Sequence, residues 1–486
     1  MTFFSPFVQD DDRPREECGI FATYNNNDAF AHTVLGLHAL QHRGQEAAGI
    51  VCYDGKTFNA HRAAGLVGDN FNDPKVVDSL VGSAAIGHVR YSTAGGSAAR
   101  NIQPLYADLD LGGFAIAHNG NLTNAHILRH ELTSKGSLFQ STADTEVIIH
   151  LMARSLRRHR IDRLVEALSQ VEGAYSIVAL NEKMVIGVRD PLGVRPLVIG
   201  KIGDSYVMAS ESCALDIMGA EFIRDVEPGE VVILDDDGLH SRFPFPRLKS
   251  RSCIFEYLYF ARPDSVIEGV SVYESRKHAG EELAKESHVP ADVVVPVPDS
   301  GVPAALGYAN QANIPFELGI IRNHYVGRTF IEPTQQIRHL GVKLKHNANS
   351  ARLKGQRVIL VDDSIVRGTT SIKIVEMVRA AGAIEVHMRI AAPPTASPCY
   401  YGIDTPEKNE LLAHQMPVSE MAAHIGVDSL AFLSVDGLYH AIAETKRNDE
   451  SPQYCDACFT NSYPTRLSDK EEKRAAPQLS LLSETA

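Results

Sequence analysis

Two rhythms of apolar and polar positions run along this chain, and the change between them divides it. From residue 18 to about 240, short apolar runs alternate with Gly and Asn turns, and helical spacing is scarce. Strand candidates are Ala84–Tyr91, Phe114–His118, Tyr175–Leu180, Met184–Val188 and Val231–Leu234, with helical patterns only near Thr33–Gln41 and Thr145–Arg158. Sequential strands with separate helices predict a layered α+β domain. Ser241–Ser250, with Pro244 and Pro246 among basic residues and no periodicity, marks the junction. From about residue 290, buried-strand runs alternate with helical spacing: Asp292–Val297, a helix from near Gly301, Arg357–Asp362 and Glu385–Ala391. That order is the βαβ rhythm of a parallel sheet. From Arg466 onward charge, Ser and Ala mix without a core pattern, which predicts a loose tail over 466–486.

Length and composition narrow the class. A chain of 486 residues exceeds one comfortable core and implies two domains. Apolar content of 44% and charged content of 22% are those of a soluble globular protein. A net charge of −13 argues against non-specific nucleic-acid binding, so anionic substrates must be met by local basic sites. No apolar run is long enough to span a membrane, and the acidic first seventeen residues do not form a secretory signal. Seven unevenly spaced cysteines then point to reduced thiols, metal ligands or a nucleophile, in the cytoplasm.

The densest chemistry lies in Val358–Ser371, where an apolar run ends in Asp362 and Asp363. A loop with Arg367 and Gly368 leads into Thr369, Thr370 and Ser371 and a helix whose apolar face is Ile372, Ile374, Val375 and Val378, with Gly382 placed to end it. A small-residue loop at a helix N-terminus offers N–H groups to phosphate. Paired carboxylates at a strand's carboxyl end suit a sugar diol or hydrated Mg²⁺. Asp299 and Ser300, in the loop Pro296–Gly301, and the basic, aromatic segment 322–331 with Tyr325 and Arg328 complete the picture of a diphosphate loop and a mobile flap. These pieces resemble the type I phosphoribosyltransferases, and together those of the glutamine phosphoribosylpyrophosphate amidotransferase family. The resemblance implies that Asp362 and Asp363 contact the ribose hydroxyls and that Arg367–Ser371 cradle the 5′-phosphate. It places Asp299, Ser300, Tyr325 and Arg328 around phosphoribosyl diphosphate (PRPP), with one Mg²⁺ per subunit near Ser300, Asp362 and Asp363.

In the first half, Cys18 would carry nucleophile and base together if residues 1–17 were removed, its own α-amine accepting the thiol proton. Gln41–Glu46, Gly87–Ala94, Ala117–Leu122 and Ser141–Glu146 follow in order and resemble segments of the N-terminal-nucleophile (class II) glutamine amidotransferases. Their fold implies an αββα glutaminase domain. The side chain of Asn119 and the backbone of Gly120 suit an oxyanion hole. Arg90 suits the α-carboxylate of free glutamine and Asp144 its α-ammonium. Thr93 and Arg43 read as substrate or supporting contacts, and Cys52 and Cys213 as structural.

Cys253, Cys399, Cys455 and Cys458 remain. Four dispersed thiolates can hold Zn²⁺ or a [4Fe–4S] cluster, and spacing alone does not separate the two. Their contexts are similar to the propeptide-bearing, iron–sulfur branch of the same family, which implies a [4Fe–4S] cluster of structural role. The domain plan is then a propeptide over 1–17, a glutaminase over 18–250, a phosphoribosyltransferase with cluster ligands over 251–465, and the tail. The resemblance implies glutamine-dependent formation of 5-phosphoribosylamine from PRPP, purine-nucleotide feedback and a homotetramer. Competing readings are another glutamine-dependent synthase, which would not need the loop at 358–371, a structural cysteine-cluster protein, and a non-catalytic PRPP-sensing regulator, for which no basic helix-turn-helix is evident.

Overall fold

The computed structural model describes residues 18–91, 99–323, 346–443 and 445–471. Two antiparallel sheets form the first half. The larger has seven strands in the order Glu221–Asp225, Val198–Ile202, Ser205–Ala209, Gly19–Tyr24, Ala84–Arg90, Ala47–Tyr53 and Phe58–Ala64. The other has six: Gly238–Arg242, Val231–Asp235, Val185–Arg189, Gly173–Leu180, Gly112–Leu122 and Leu105–Leu109.

Period-two alternation stacks them. Ile20 and Ala22 point into a core shared with Ala115 and Ala117 of the second sheet. Phe21, between them, points the other way and meets Leu37 of the helix Ala29–Ala39. Ile116 likewise turns outward to Val147 and Ile148 of the helix Thr145–Arg154. Helix, sheet, sheet and helix therefore form four layers, the αββα arrangement that the resemblance implied. The predicted helix 145–158 ends four residues early, at Arg154, because Ser155 is extended and bonds through its hydroxyl to Glu166 of the next helix, Arg160–Leu168.

The second half carries a parallel sheet in the order Val293–Pro296, Arg357–Asp362, Glu385–Ile390 and Ser429–Phe432. The helices Val302–Ala312 and Thr369–Ala380 each follow one of the first two strands. Because those strands are neighbours, the loops 297–301 and 363–368 emerge side by side at the carboxyl edge of the sheet, where α/β folds bind ligands. No described helix is long and apolar enough to cross a membrane.

The predicted loose tail begins too early at Arg466. Residues 466–470 are docked on the first half: Thr123 Oγ1 donates to the Arg466 carbonyl at 2.8 Å, and Asp469 N donates to the Thr123 carbonyl at 2.9 Å. Side chains of this stretch look loose in sequence because what they bind lies more than three hundred residues away. Residues 472–486 lie outside the described part.

Candidate active sites

The strand Gly19–Tyr24 pairs antiparallel with Ala84–Arg90, Gly19 opposite Val89, so Cys18 emerges beside Arg90. Cys18 is buried, and its thiol lies 3.8 Å from the carbonyl oxygen of Tyr91. Burial lowers the pKa of the Arg90 guanidinium, while the nearby Cys18, Glu46 and Asp144 oppose that shift. Arg90 and Asp144 are thus held in one electrostatic neighbourhood with the thiol, as a site for a zwitterionic amino acid requires.

Asn119 and Gly120 lie near the end of the long strand Gly112–Leu122, opposite Ser176 and Tyr175. Asn119 is fully buried, and neither its amide nitrogen nor its oxygen has a hydrogen-bond partner among the described residues. Leaving both ends of a buried amide unpaired costs stability and is unusual for a side chain with no ligand to meet. Gly120 has φ +143, and a Cβ there would stand 2.1 Å from the Ala174 carbonyl oxygen, so only glycine fits. Asp144 accepts from Leu122 N at 2.9 Å and from Thr145 N at 2.8 Å, which ties it both to this strand and to the start of the helix Thr145–Arg154. Around the strand, His88 Nε2 donates to the His118 carbonyl at 3.2 Å; burial and repulsion from Arg90 push the His88 pKa down to about 3, so the ring is neutral at physiological pH.

Arg43 does not face this pocket. Its Nε donates to the Cys18 carbonyl at 3.3 Å, and its other nitrogens donate to Glu211 and, at 3.0 and 2.6 Å, to Glu256. Glu256 also receives Arg195 at 3.3 Å, and Arg195 Nε donates to the Tyr401 carbonyl at 2.8 Å. All four charged side chains are buried. Burial alone would raise the Glu211 carboxyl, but His42 and Arg43 hold it far below the ordinary carboxylate range. This network supports the nucleophile's backbone and joins the two halves. Neither Glu256 nor Arg195 stands in a segment with a chemical motif, so sequence reading passes over them. Thr93 lies outside the described residues.

At the edge of the parallel sheet, Asp362 and Asp363 are buried side by side. Asp362 Oδ1 accepts from Asp363 N at 2.9 Å, and Ser364 Oγ donates to Asp363 Oδ1 at 2.6 Å. Asp363 Oδ2, Ser300 Oγ and Thr369 Oγ1 are buried without a hydrogen-bond partner among the described residues. These atoms come from both adjacent loops. Gly301 lets the first loop approach: a Cβ there would stand 2.6 Å from the Val361 carbonyl oxygen of the neighbouring strand. Gly368, at φ +82, turns the second loop into the helix Thr369–Ala380, placing Thr369, Thr370 and Ser371 in its first turn. Arg367 is paired with Glu410 at 2.8 Å, and Asp299 forms an ion pair with Arg322. The flap residues Tyr325 and Arg328 lie outside the described residues.

Cys253, Cys399, Cys455 and Cys458 line one small cavity with Val194, Tyr401, Ile403 and Tyr463. Ser252–Cys253 pairs in parallel with Tyr454–Cys455, placing Cys253 opposite Cys455. Burial pushes the Cys455 thiol up to about 12, with Cys399 adding repulsion, and burial beside the other three raises Cys458 as well. Among the described residues no three Cys, His, Asp or Glu side chains are arranged to hold a single metal ion. Four thiols around one hollow are the donor set of either a Zn²⁺ site or a [4Fe–4S] cluster.

A glutamine amidotransferase domain family matches residues 88–216, and a phosphoribosyl transferase domain family matches residues 273–402. The amidophosphoribosyltransferase of Rhizobium etli is 57% identical over 480 residues, covering 98% of this chain and 97% of the relative. That of Bacillus subtilis is 49% identical over 453 residues, covering 93% and 95%. A solved glutamine PRPP amidotransferase from Bacillus subtilis, complexed with ADP and GMP, superposes with a TM-score of 0.88 at 48% identity, covering 93% of this chain and 98% of that one. Likeness of this extent spans both halves and the sites in each, and the chain belongs to the amidophosphoribosyltransferase family.

Proposed function

We infer that this chain makes 5-phosphoribosylamine from PRPP with nitrogen drawn from glutamine. The observation that carries the reading is the set of buried polar atoms left without partners at both sites: the Asn119 amide in one, and Ser300, Asp363 and Thr369 in the other. Groups that lack internal partners are held ready for substrate atoms.

After removal of residues 1–17, the Cys18 thiolate attacks the glutamine side-chain carbonyl while its α-amine holds the thiol proton. The tetrahedral oxyanion is met by the Asn119 side chain and the Gly120 N–H. The C–N bond then breaks and ammonia leaves with the proton, and water hydrolyses the thioester to glutamate. Arg90 and Asp144 bind the two charges of the free amino acid, which selects glutamine over a glutamine residue inside a polypeptide, and Thr93 is a further glutamine contact.

Ammonia then attacks the anomeric carbon of PRPP as the C–O bond to diphosphate breaks. Asp362 and Asp363 orient the ribose hydroxyls, and the first turn of the helix Thr369–Ala380 meets the 5′-phosphate, aided by its dipole. Ser300, Asp362 and Asp363 would hold a Mg²⁺ ion, which when bound would neutralise charge on the leaving diphosphate. Asp299, with Tyr325 and Arg328 of the basic, aromatic segment, would complete the set of residues that meet PRPP.

The four-cysteine cavity supports membership of the iron–sulfur, propeptide-bearing branch, with a [4Fe–4S] cluster of structural role. ADP or GMP-like purine nucleotides would compete at the phosphoribosyl site, and the enzyme would work as a cytoplasmic homotetramer. The test is mass spectrometry of the N-terminus together with a diphosphate-release assay. The expected result is a chain beginning at Cys18 whose release depends on glutamine and PRPP. A chain beginning at Met1 or Thr2 in which Cys18→Ala keeps glutamine-dependent release would overturn the first-site mechanism.

A further inference from the structure

The oxyanion strand is gripped by two segments of the second half that nothing in the catalytic motifs assigns. On one side, Gly402 lies directly against Gly120: a Cβ on Gly402 would stand 3.0 Å from Gly120 Cα and 3.1 Å from its carbonyl carbon. Gly402 also has φ +115, so a side chain there would be strained as well as crowded. Two residues earlier, the Tyr400 carbonyl accepts from Asn121 Nδ2 at 3.0 Å. On the other side, the stretch 466–469 closes over Thr123 through the two bonds already described. Asp469 then reaches the next helix, Ala125–Ser134, and accepts from His126 N and Ile127 N at 2.9 and 3.0 Å. Those are orphan donors of the first turn, and the local cap, Asn124, makes no side-chain capping bond.

The two gripping segments are themselves knitted together. Tyr401 Oη bonds to Thr465 Oγ1 at 3.0 Å, and Tyr463 Oη donates to the Pro398 carbonyl at 2.6 Å. Lys470 Nζ donates to Tyr400 Oη at 2.9 Å. Asn119 and Gly120 therefore sit in a strand held from both flanks by one unit that belongs to the second half of the chain.

We propose that Gly402, Asn121 and Asp469 are positioning residues for glutamine hydrolysis, setting the oxyanion strand from across the domain boundary. The proposal rests on the function inferred above. An unpartnered donor such as Asn119 has no internal bond to fix its aim, so its placement depends on the backbone that carries it. A shift of a few tenths of an ångström at Gly120 moves both oxyanion donors, while Arg90 on the other sheet stays in place and Asp144 keeps its second anchor at Thr145 N, so glutamine affinity is largely retained.

The test compares the full chain with Gly402→Ala and Asp469→Asn, in three readouts. Glutaminase kcat should fall by about tenfold to a hundredfold in Gly402→Ala, as for a misplaced catalytic group, with KM for glutamine within about twofold. Diphosphate release driven by added ammonium should stay within about twofold. Amide hydrogen exchange over residues 118–123 should quicken in both variants, while residues 84–90 hold their protection. Asp469→Asn keeps shape but removes the charge and replaces one of the two capping acceptors with an amide donor, so it decides the matter if Gly402→Ala does not fold. Unchanged glutaminase kcat with unchanged exchange at 118–123 would overturn the proposal. A rise in glutamine KM without loss of kcat would also overturn it. Failure of the unaltered chain to release diphosphate from PRPP with either nitrogen source would instead strike the inferred function, and the exchange readout would still decide the brace.

Discussion

Arg43 Nε donates to the carbonyl oxygen of Cys18 at 3.3 Å, while the far nitrogens of the same guanidinium hold Glu256, more than two hundred residues on. The nucleophile's backbone is thus fastened to the second half of the chain through one buried side chain. Removing one partner of a buried ion pair leaves the others unpaired, which costs about 3–5 kcal/mol. Glu256→Ala should therefore lower unfolding free energy by about that amount, measured by denaturant titration. A loss below about 1 kcal/mol would mean that the network is far wetter than its burial implies.

Thr369 Oγ1 is buried and has no hydrogen-bond partner among the described residues. Thr369→Val keeps the shape and removes no internal hydrogen bond, so thermal stability should stay level or rise. The KM for PRPP should rise by about tenfold, the worth of a hydrogen bond to a charged oxygen. A fall in Tm with unchanged PRPP kinetics would assign the hydroxyl to folding.

Cys18→Ala should abolish glutamine-dependent diphosphate release and leave the ammonium-driven rate within about twofold, because the second site contains its own substrate shell. Steady-state assays with each nitrogen source check this. Loss of both activities in a folded variant would place Cys18 in more than glutamine hydrolysis.

The four-cysteine cavity predicts about four iron atoms per chain and a broad visible absorption band after anaerobic purification. Metal analysis showing one zinc and no iron would replace the cluster with a single-ion site. Cys458→Ser should lower iron content and loosen the 455–470 segment, read by limited proteolysis.

Glu211 gives stability a defined dependence on acid. Its carboxyl is held below the ordinary value of about 4.3 by His42 and Arg43. As pH falls below that value the unfolded chain takes up the proton first, so the stability that Glu211 contributes above about pH 4.3 drains away towards its lower native pKa. Tm measured from pH 6 to pH 3 should drop, with a shallower slope in Glu211→Gln. Parallel slopes would remove Glu211 from the acid response.

Much of this was legible in the chain itself. The strand Arg357–Asp362 matches its predicted bounds, and the candidates at 84–91, 175–180 and 231–234 differ from the observed strands by a residue or two, because period-two burial writes itself into local sequence. Cys18, Arg90, Asn119 and the 362–371 loop stood out because their chemistry needs particular residue types at short spacings. Glu256, Arg195, Gly402 and Asp469 carried no such signal. Asp469 caps a helix that begins 344 residues earlier, and Gly402 is required by the backbone of Gly120, not by its own turn.

By itself the sequence determined the two domain types and singled out Cys18 and the 362–371 loop as candidates, since hydrophobic period and motif spacing are local properties. Only the tertiary structure decided that Arg43 serves the backbone and not the substrate, that residues 466–470 are docked, and that the second half of the chain braces the first half's oxyanion strand. Those facts are contacts between surfaces far apart in sequence, and burial, unpaired polar atoms and close glycine approaches exist only once the chain has folded back on itself.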